Sequence, residues 1–167
     1  FQRKLGSLPH SQIKGTQTLR ELDLSDNSLW HLGVKRLSVG LRSPDCKLER
    51  LRLADCRLVD GCADLIKALK ENPSRLIELN LNNNNPRDSA VKELCDLLKK
   101  KECRLEKLEL ASCRILDEDC AALVEALKEN PTQLKELNLN ENNLRDSGVK
   151  KLCELLKKKE CKLEKLQ

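Results

Sequence analysis

The sequence predicts an α/β solenoid, an arc of stacked units with a parallel β-sheet on its concave face and α-helices on its convex face. Three observations predict it. A short leucine pattern recurs every 28 or 29 residues along the 167-residue chain. Inside each copy, leucines alternate with polar residues, which is typical of a strand. Between copies, apolar residues recur at spacings of three and four, which is typical of a helix.

The leucine pattern occurs five times in full and a sixth time in part: LRELDLSDN at Leu19, LERLRLADC at Leu48, LIELNLNNN at Leu76, LEKLELASC at Leu105, LKELNLNEN at Leu134 and LEKLQ at Leu163. The complete copies fit L-x-x-L-x-L-x-x-[NC], the signature of a leucine-rich repeat. We therefore expect a leucine-rich repeat domain over 19–167, truncated in its sixth repeat. Residues 1–18 fit poorly, and we expect a degenerate flank or a partial repeat there.

The strand and its turn begin each repeat. In the third copy, Leu79 and Leu81 should point inward while Asn80 and Asn82 point outward, because side chains alternate along a strand. Asn84 follows at a turn position that is Asn or Cys in every complete copy: Asn27, Cys56, Cys113 and Asn142. Buried backbone groups need hydrogen-bond partners. An inward Asn or Cys at this position therefore predicts a structural role in the turn.

The helix follows in each repeat. Four apolar stripes carry the helical period: Cys62, Leu65, Ile66 and Leu69; Val91, Leu94, Cys95 and Leu98; Cys120, Leu123, Val124 and Leu127; Val149, Leu152, Cys153 and Leu156. Candidate N-caps precede two of them: Asp88 or Ser89, and Asp146 or Ser147. The lysine triplets 99–101 and 157–159 are predicted in the last helical turn, where the helix dipole favours cations. Neighbouring strands lie about 4.8 Å apart and helices need about 10 Å, so the stack must bend into a horseshoe.

Composition argues against several function classes. The net charge is +5, and aromatic residues make up 1% of the chain. A nucleic-acid groove needs clustered basic residues with interleaved aromatics, so we expect no nucleic-acid partner. No apolar stretch is long enough to span a membrane, and we expect no membrane contact. The two histidines lie outside the regular columns. We therefore expect no catalytic, cofactor-binding or metal-binding residues.

Outward strand residues form the candidate binding face of the horseshoe. Residues at equivalent positions should stack in columns across the sheet: Glu21, Arg50, Glu78, Lys107, Glu136 and Lys165 in the first, and Asp23, Arg52, Asn80, Glu109 and Asn138 in the second. The first column alternates in sign at every step. Two interpretations stay open: a solvated ladder that fixes neighbouring strands, and a polar surface for a protein or ligand.

Trp30 and the cysteines are the remaining distinctive residues. Tryptophan is enriched at interface hot spots, so Trp30 is a candidate edge contact; packing against residues 1–18 is the alternative. The nine cysteines form no CxxC pair and fall mostly at apolar positions. We expect reduced, structural thiols and a reducing cytoplasmic location, with disulfides or metal binding as the less favoured alternatives.

Two repeat types alternate along the chain. Copies starting at Leu19, Leu76 and Leu134 carry Asn at the turn, and those starting at Leu48 and Leu105 carry Cys. This alternation resembles the ribonuclease-inhibitor subfamily of leucine-rich repeats. The segments LRELDLSDNSL, GVKRL and PDCKLERLRLADC resemble the vertebrate NOD-like receptors, particularly the NLRP and fish-expanded branches.

The resemblance implies a role as well as a fold. It implies a non-catalytic segment of a cytosolic innate-immune receptor, which lies beyond a nucleotide-binding domain and senses ligands or holds the receptor inactive. The implied partner is another protein, or the upstream nucleotide-binding domain in an intramolecular contact. Self-association through exposed repeat ends is a further expectation. A ribonuclease-inhibitor-like enzyme inhibitor and a structural spacer are the alternatives.

Overall fold

The computed structural model describes residues 18–73, 75–130 and 133–167, where strands and helices alternate along the chain. The elements have these bounds: β1 Glu21–Asp23, α1 His31–Arg42, β2 Arg50–Arg52, α2 Cys62–Lys70, β3 Glu78–Asn80, α3 Asp88–Lys99, β4 Lys107–Glu109, α4 Asp117–Glu129, β5 Glu136–Asn138, α5 Asp146–Leu156 and β6 Lys165–Leu166. The predicted α/β leucine-rich repeat solenoid is confirmed. The flank predicted over 1–18 lies, except for Thr18, outside the described residues.

The six strands form one parallel sheet in chain order, β1 to β6. The middle leucines of the strands are in register across the sheet: Leu22, Leu51, Leu79, Leu108, Leu137 and Leu166. On the other side, each helix packs against the next helix along the chain. The repeats are numbered by their opening leucines: repeat 1 (19–47), repeat 2 (48–75), repeat 3 (76–104), repeat 4 (105–133) and repeat 5 (134–162). No described helix has the length and apolar character needed to cross a bilayer.

The core lies between the sheet and the helices and consists mainly of leucine. Leu51, Leu79 and Leu108 are completely buried, as are the turn cysteines Cys56 and Cys113. Full burial of one leucine side chain contributes about 2 kcal/mol relative to exposure. Because each repeat buries its leucines against its neighbours, the layers are stable only when stacked.

Asn84 has the structural role predicted for the turn. Its Oδ1 accepts hydrogen bonds from the backbone N–H groups of Cys56 and Leu58, at 3.1 and 3.0 Å. Its Nδ2 donates to the carbonyl oxygens of Leu53, Leu81 and Asn82 at 2.8, 3.0 and 3.3 Å. The amide therefore satisfies five backbone groups where the strand turns toward its helix. Asn142 makes the corresponding five bonds in repeat 5.

The predicted N-caps are wrong. The helix α3 already includes Asp88 and Ser89, and α5 includes Asp146 and Ser147; Arg87 and Arg145 hold the cap positions in extended conformation, without a side-chain bond. At α5 the capping group comes from the preceding repeat. The Asp117 carboxylate accepts a hydrogen bond from the Arg145 N–H at 2.7 Å and another from the Ser147 hydroxyl at 2.5 Å. A neighbouring repeat thus replaces a cap from the helix itself.

The lysine triplets also differ from expectation. Of 99–101, only Lys99 belongs to α3, which ends there. The helix α5 ends at Leu156, so all of 157–159 follows it, and its last turn contains no basic residue. The other five lysines therefore lie in the connections after the helices.

Repeat 5 exposes an apolar face at the end of the stack. Val149 and Leu156 are 52% and 51% exposed, whereas their equivalents in repeat 3, Val91 and Leu98, are 3% and 4% exposed. Self-association through the exposed repeat ends stays a prediction.

Candidate interaction surface

The strand register assembles the two predicted columns on the concave face. Glu21 lies beside Arg50, Arg50 beside Glu78, and Glu78 beside Lys107. Glu136 and Lys165 continue the first column. The second column follows the same register: Asp23, Arg52, Asn80, Glu109 and Asn138. Oppositely charged groups therefore stand one strand apart along the first column.

Strands β1 to β3 carry an ion-pair lattice centred on Glu78. The Arg52 guanidinium binds Glu78 through two hydrogen bonds, Nε to Oε1 and Nη2 to Oε2, each 3.2 Å long. Arg50 lies 3.2 Å from Glu21 and 3.7 Å from Glu78. Glu78 is only 8% exposed, so the lattice shields it from solvent. Two-point guanidinium–carboxylate pairs fix geometry more strongly than single contacts.

Two charges of this lattice are held in their ionised forms. Hydrogen bonding to Glu78 raises the pKa of Arg52, and the negative charges of Glu78, Glu21 and Asp23 raise it further. Hydrogen bonds from the Ser25 side chain and backbone lower the pKa of Asp23, and the Arg52 charge adds to this effect. Asp23 and Arg52 are therefore both charged at neutral pH.

Strands β3 to β5 carry an amide-lined cluster around Glu109. Its Oε2 accepts hydrogen bonds from the Nδ2 atoms of Asn82 and Asn138, at 3.0 and 2.8 Å. Lys107 lies 3.7 Å from both Glu109 and Glu136. Asn80 instead accepts a bond from the Asn82 backbone N–H at 2.9 Å. The face thus changes from paired charges to amides along the sheet.

Asn82 is a site residue that the sequence reasoning missed. It belongs to a third outward column, with Ser25, Ala54, Ala111 and Asn140, whose small and neutral residues are not part of the predicted binding face. In the structure the Asn82 Oδ1 also accepts the Ala111 N–H at 2.8 Å, so the side chain connects repeats 3 and 4. The signal in the sequence is a polar residue directly opposite an alanine of the next repeat, and the Ser25 Oγ accepts the Ala54 N–H in the same way at 3.1 Å.

Trp30 lies at the opening of α1 and is 62% exposed, and its role as an edge contact stays a prediction. It precedes His31, the first helical residue. The alternative, packing against residues 1–18, falls on residues 1–17, outside the described residues.

The buried cysteines are poorly suited to chemistry. All nine cysteines of the chain are free thiols. Burial raises the pKa of Cys62 to about 12 and that of Cys56 and Cys113 to about 11. The thiolate is the nucleophile and the metal ligand, so these side chains are inert at neutral pH. In the described ranges, no three His, Cys, Asp or Glu residues group closely enough to hold a metal ion.

Comparison with known proteins agrees with this architecture. The family profile of the TMOD/LMOD leucine-rich domain matches residues 59–167, and a leucine-rich repeat profile matches residues 16–37. The chain belongs to the leucine-rich repeat family. The first match alone covers more than half of the chain, and it runs from the loop before α2 through the third to the sixth copies of the leucine pattern.

Individual relatives come from two groups of leucine-rich repeat proteins. The chain is 41% identical over 86 residues to the rat NACHT, LRR and PYD domains-containing protein 1a allele 1, and 43% identical over 88 residues to the rat NACHT, LRR and PYD domains-containing protein 3. It is 39% identical over 85 residues to mouse ribonuclease inhibitor. These alignments cover 52%, 52% and 50% of the chain, but only 7%, 8% and 18% of the relatives. The repeats are of the ribonuclease-inhibitor type found in NOD-like receptors.

Proposed function

We propose that the chain is a non-catalytic recognition segment of a cytoplasmic innate-immune NOD-like receptor. Its concave face contacts either a separate protein or the nucleotide-binding domain of the same polypeptide, and this contact senses a ligand or holds the receptor inactive. The observation that carries the proposal is the concave face itself. Its charged groups are fixed by contacts between strands before any partner arrives, and preorganised groups lose less conformational entropy on binding.

The chemistry of the thiols supports the rest of the proposal. Nine free cysteines in 167 residues are suited to a reducing compartment. Their raised pKa values disfavour a nucleophilic role for the buried ones. The similarity to two NACHT, LRR and PYD domains-containing proteins supports a receptor context.

A charge reversal on the concave face tests the contact. Lys107→Glu changes a candidate residue that is 39% exposed and 3.7 Å from Glu136. Lys135→Glu is the matched control: this lysine is 48% exposed, lies 3.7 Å from Glu106 and belongs to neither candidate column. The measurement is binding of the chain to the nucleotide-binding domain encoded in the same reading frame, by biolayer interferometry.

We expect Lys107→Glu to weaken that binding about tenfold and Lys135→Glu to change it less than about twofold. Unchanged binding in both variants would favour a spacer without a concave contact. A reading frame that encodes no nucleotide-binding domain would remove the receptor proposal altogether.

Ribonuclease inhibition is the second candidate, because the chain is 39% identical to mouse ribonuclease inhibitor over 85 residues. Its net charge of +5 is unfavourable for binding a basic ribonuclease. We therefore expect no inhibition when the chain is titrated into a pancreatic-type ribonuclease assay. Tight inhibition would replace the receptor proposal with the inhibitor one.

A further inference from the structure

Parallel topology sorts the connections of the solenoid onto two edges. Since all strands run parallel in chain order, every helix C-terminus lies on the same side of the sheet. We call this side the helix-exit edge. It is formed by the described residues of the segments that follow the helices: 43–47, 71–75, 100–104, 130–133 and 157–162.

The positive charge of the chain is concentrated on this edge. Segment 157–162 holds four lysines and one glutamate, a net +3, and segment 100–104 holds two lysines, one arginine and one glutamate, a net +2. The other three segments of the edge are neutral. Together these two segments carry +5; residues 1–17 carry a further +3, and all other residues together carry −3, which gives the net +5 of the chain.

Fold stability does not explain this concentration. Each helix C-terminus carries about −0.5 charge, which one nearby cation offsets. Segment 157–162 has a net +3 at one such terminus. Many other cations of the molecule are used in ion pairs, such as Lys70 with Glu93 and Lys128 with Glu154. By contrast, seven cations of the two segments form no ion pair with any described residue: Lys100, Lys101, Arg104, Lys157, Lys158, Lys159 and Lys162.

We propose that the helix-exit edge of repeats 3 and 5 docks onto membrane surfaces rich in anionic phospholipid. Six of the seven free cations are lysines, which act as point charges toward phosphate without the planar fork of arginine. Clusters of four to eight basic residues are typical of such electrostatic contacts. This is peripheral binding, which needs no spanning segment and replaces the expectation of no membrane contact. It is independent of the concave-face contact proposed above.

The spacing of the two clusters favours a membrane over a nucleic acid. They lie two repeats apart, about 20 Å at helix spacing, with the neutral segment of repeat 4 between them. An extended, flat array of phosphates reaches both clusters at once. No aromatic residue lies in these segments, so the edge offers no platform on which bases could stack.

The same topology determines how the docked solenoid is oriented on the bilayer. A solenoid that stands on its helix-exit edge places the sheet roughly perpendicular to the bilayer. The concave columns then face sideways and stay accessible to a protein partner. Membrane docking and partner binding can therefore occur together.

Vesicle co-sedimentation with two charge variants tests the proposal. The full chain is mixed with phosphatidylcholine vesicles that contain or lack phosphatidylserine. The test variants are Lys157→Gln/Lys158→Gln/Lys159→Gln and, independently, Lys100→Gln/Lys101→Gln/Arg104→Gln. The control, Lys35→Gln/Lys92→Gln/Lys150→Gln, removes the same charge from three exposed lysines at equivalent helical positions. Circular dichroism checks that each variant is folded.

We expect the wild-type chain to bind only the vesicles with phosphatidylserine, and to dissociate at high salt. Each folded test variant should lower the partition coefficient at least about tenfold, and the control less than about threefold. An equal fall of the partition coefficient in the control would show that net charge alone explains the binding, and it would overturn the proposal. Absence of vesicle binding would also overturn it, as would tighter binding of duplex DNA with the same variant dependence. None of these results alters the concave-face measurement.

Discussion

The junctions between repeats are of two kinds, which differ in where their hydrogen bonds lie. At the junction of repeats 2 and 3, the Asn84 amide at the strand end forms three bonds to the preceding repeat: from the N–H groups of Cys56 and Leu58 and to the Leu53 carbonyl. At the junction of repeats 3 and 4, the Cys113 thiol forms one, to the Leu81 carbonyl at 3.1 Å. We call these the asparagine junction and the cysteine junction.

The cysteine junction is reinforced elsewhere. Asn130, just after α4, donates to the carbonyls of Leu98 and Lys100 at 3.3 and 2.8 Å, and Asn72 bonds the preceding repeat in the same way after α2. On the sheet, Asn82 accepts the Ala111 N–H. Repeats with a turn asparagine therefore bond the preceding repeat mainly at the turn, whereas repeats with a turn cysteine bond it mainly at the helix end. Alternation distributes polar contacts over both edges of the stack.

The largest effect should come from breaking an asparagine junction. Asn84→Ala leaves the buried N–H groups of Cys56 and Leu58 without an acceptor, which should lower the free energy of unfolding by about 3 kcal/mol. Urea denaturation followed by circular dichroism measures it. Asn142→Ala removes the same bonds at a half-buried position, where water replaces part of them, so its loss should be smaller. Equal losses would contradict the role of burial.

The next effect distinguishes the two cysteine junctions. In repeat 2 the loop is one residue shorter than in repeat 4, and a Cβ at Gly61 would lie 2.8 Å from the Val34 Cγ1. Gly61→Ala should therefore cost about 2 kcal/mol through overpacking. The double variant with Val34→Ala should cost less than the sum of the two single changes, because the clash is gone. Additive losses in thermal or urea unfolding would show that the close approach is unimportant.

A smaller loss should follow from removing the helix-end bonds. Asn72→Ala deletes the bonds to the Leu41 and Ser43 carbonyls, at 3.0 and 3.1 Å in a half-buried site, and should cost about 1 kcal/mol. If Asn72→Ala lost as much free energy of unfolding as Asn84→Ala in the same urea assay, the helix-end bonds would be as strong as the turn bonds, and the proposed difference between the junctions would be wrong.

The smallest effect at neutral pH concerns the turn thiol. Cys56→Ser keeps a donor for the Leu24 carbonyl and should cost about 0.5 kcal/mol. Burial raises the pKa of Cys56 from 9.0 to about 11, so the unfolded thiol ionises before the folded one. The contribution of this thiol to stability is therefore complete below pH 9 and is lost as pH rises toward 11. Unfolding curves at pH 8 and 10.5 should show a smaller alkaline loss for Cys56→Ser than for wild type; an identical loss would reject this linkage.

Most of the fold could be predicted because leucine spacing determines it. Leu79 in β3 and Leu81 just after it lie two residues apart and point to the same side, and the same spacing in every complete repeat keeps the strands in register. The turn role of Asn84 followed from its recurrence. The helix starts could not be predicted from local residues, since Asp117 of one repeat caps the helix of the next. Local propensity describes a single segment, while this contact joins segments 28 residues apart.

The candidate surface was predictable in position but not in burial. The alternation of charge along the columns placed Glu78 beside Arg50, yet the sequence did not show that Glu78 would be 8% exposed. That depends on two arginines covering one carboxylate. The role of Asn82 was missed because its amide accepts a hydrogen bond from a backbone N–H of the next repeat. Every residue except proline has such a group, so the sequence does not show which one is bonded.

The alternating junctions also bear on how such a chain can lengthen or shorten. Loss of a single unit would place two repeats of the same kind next to each other. A turn asparagine would then face another asparagine turn, or an asparagine after a helix would face a repeat of its own kind. Removing or copying two consecutive units, such as 48–104 or 105–162, preserves every contact type. Duplication in pairs is the change that this architecture tolerates best.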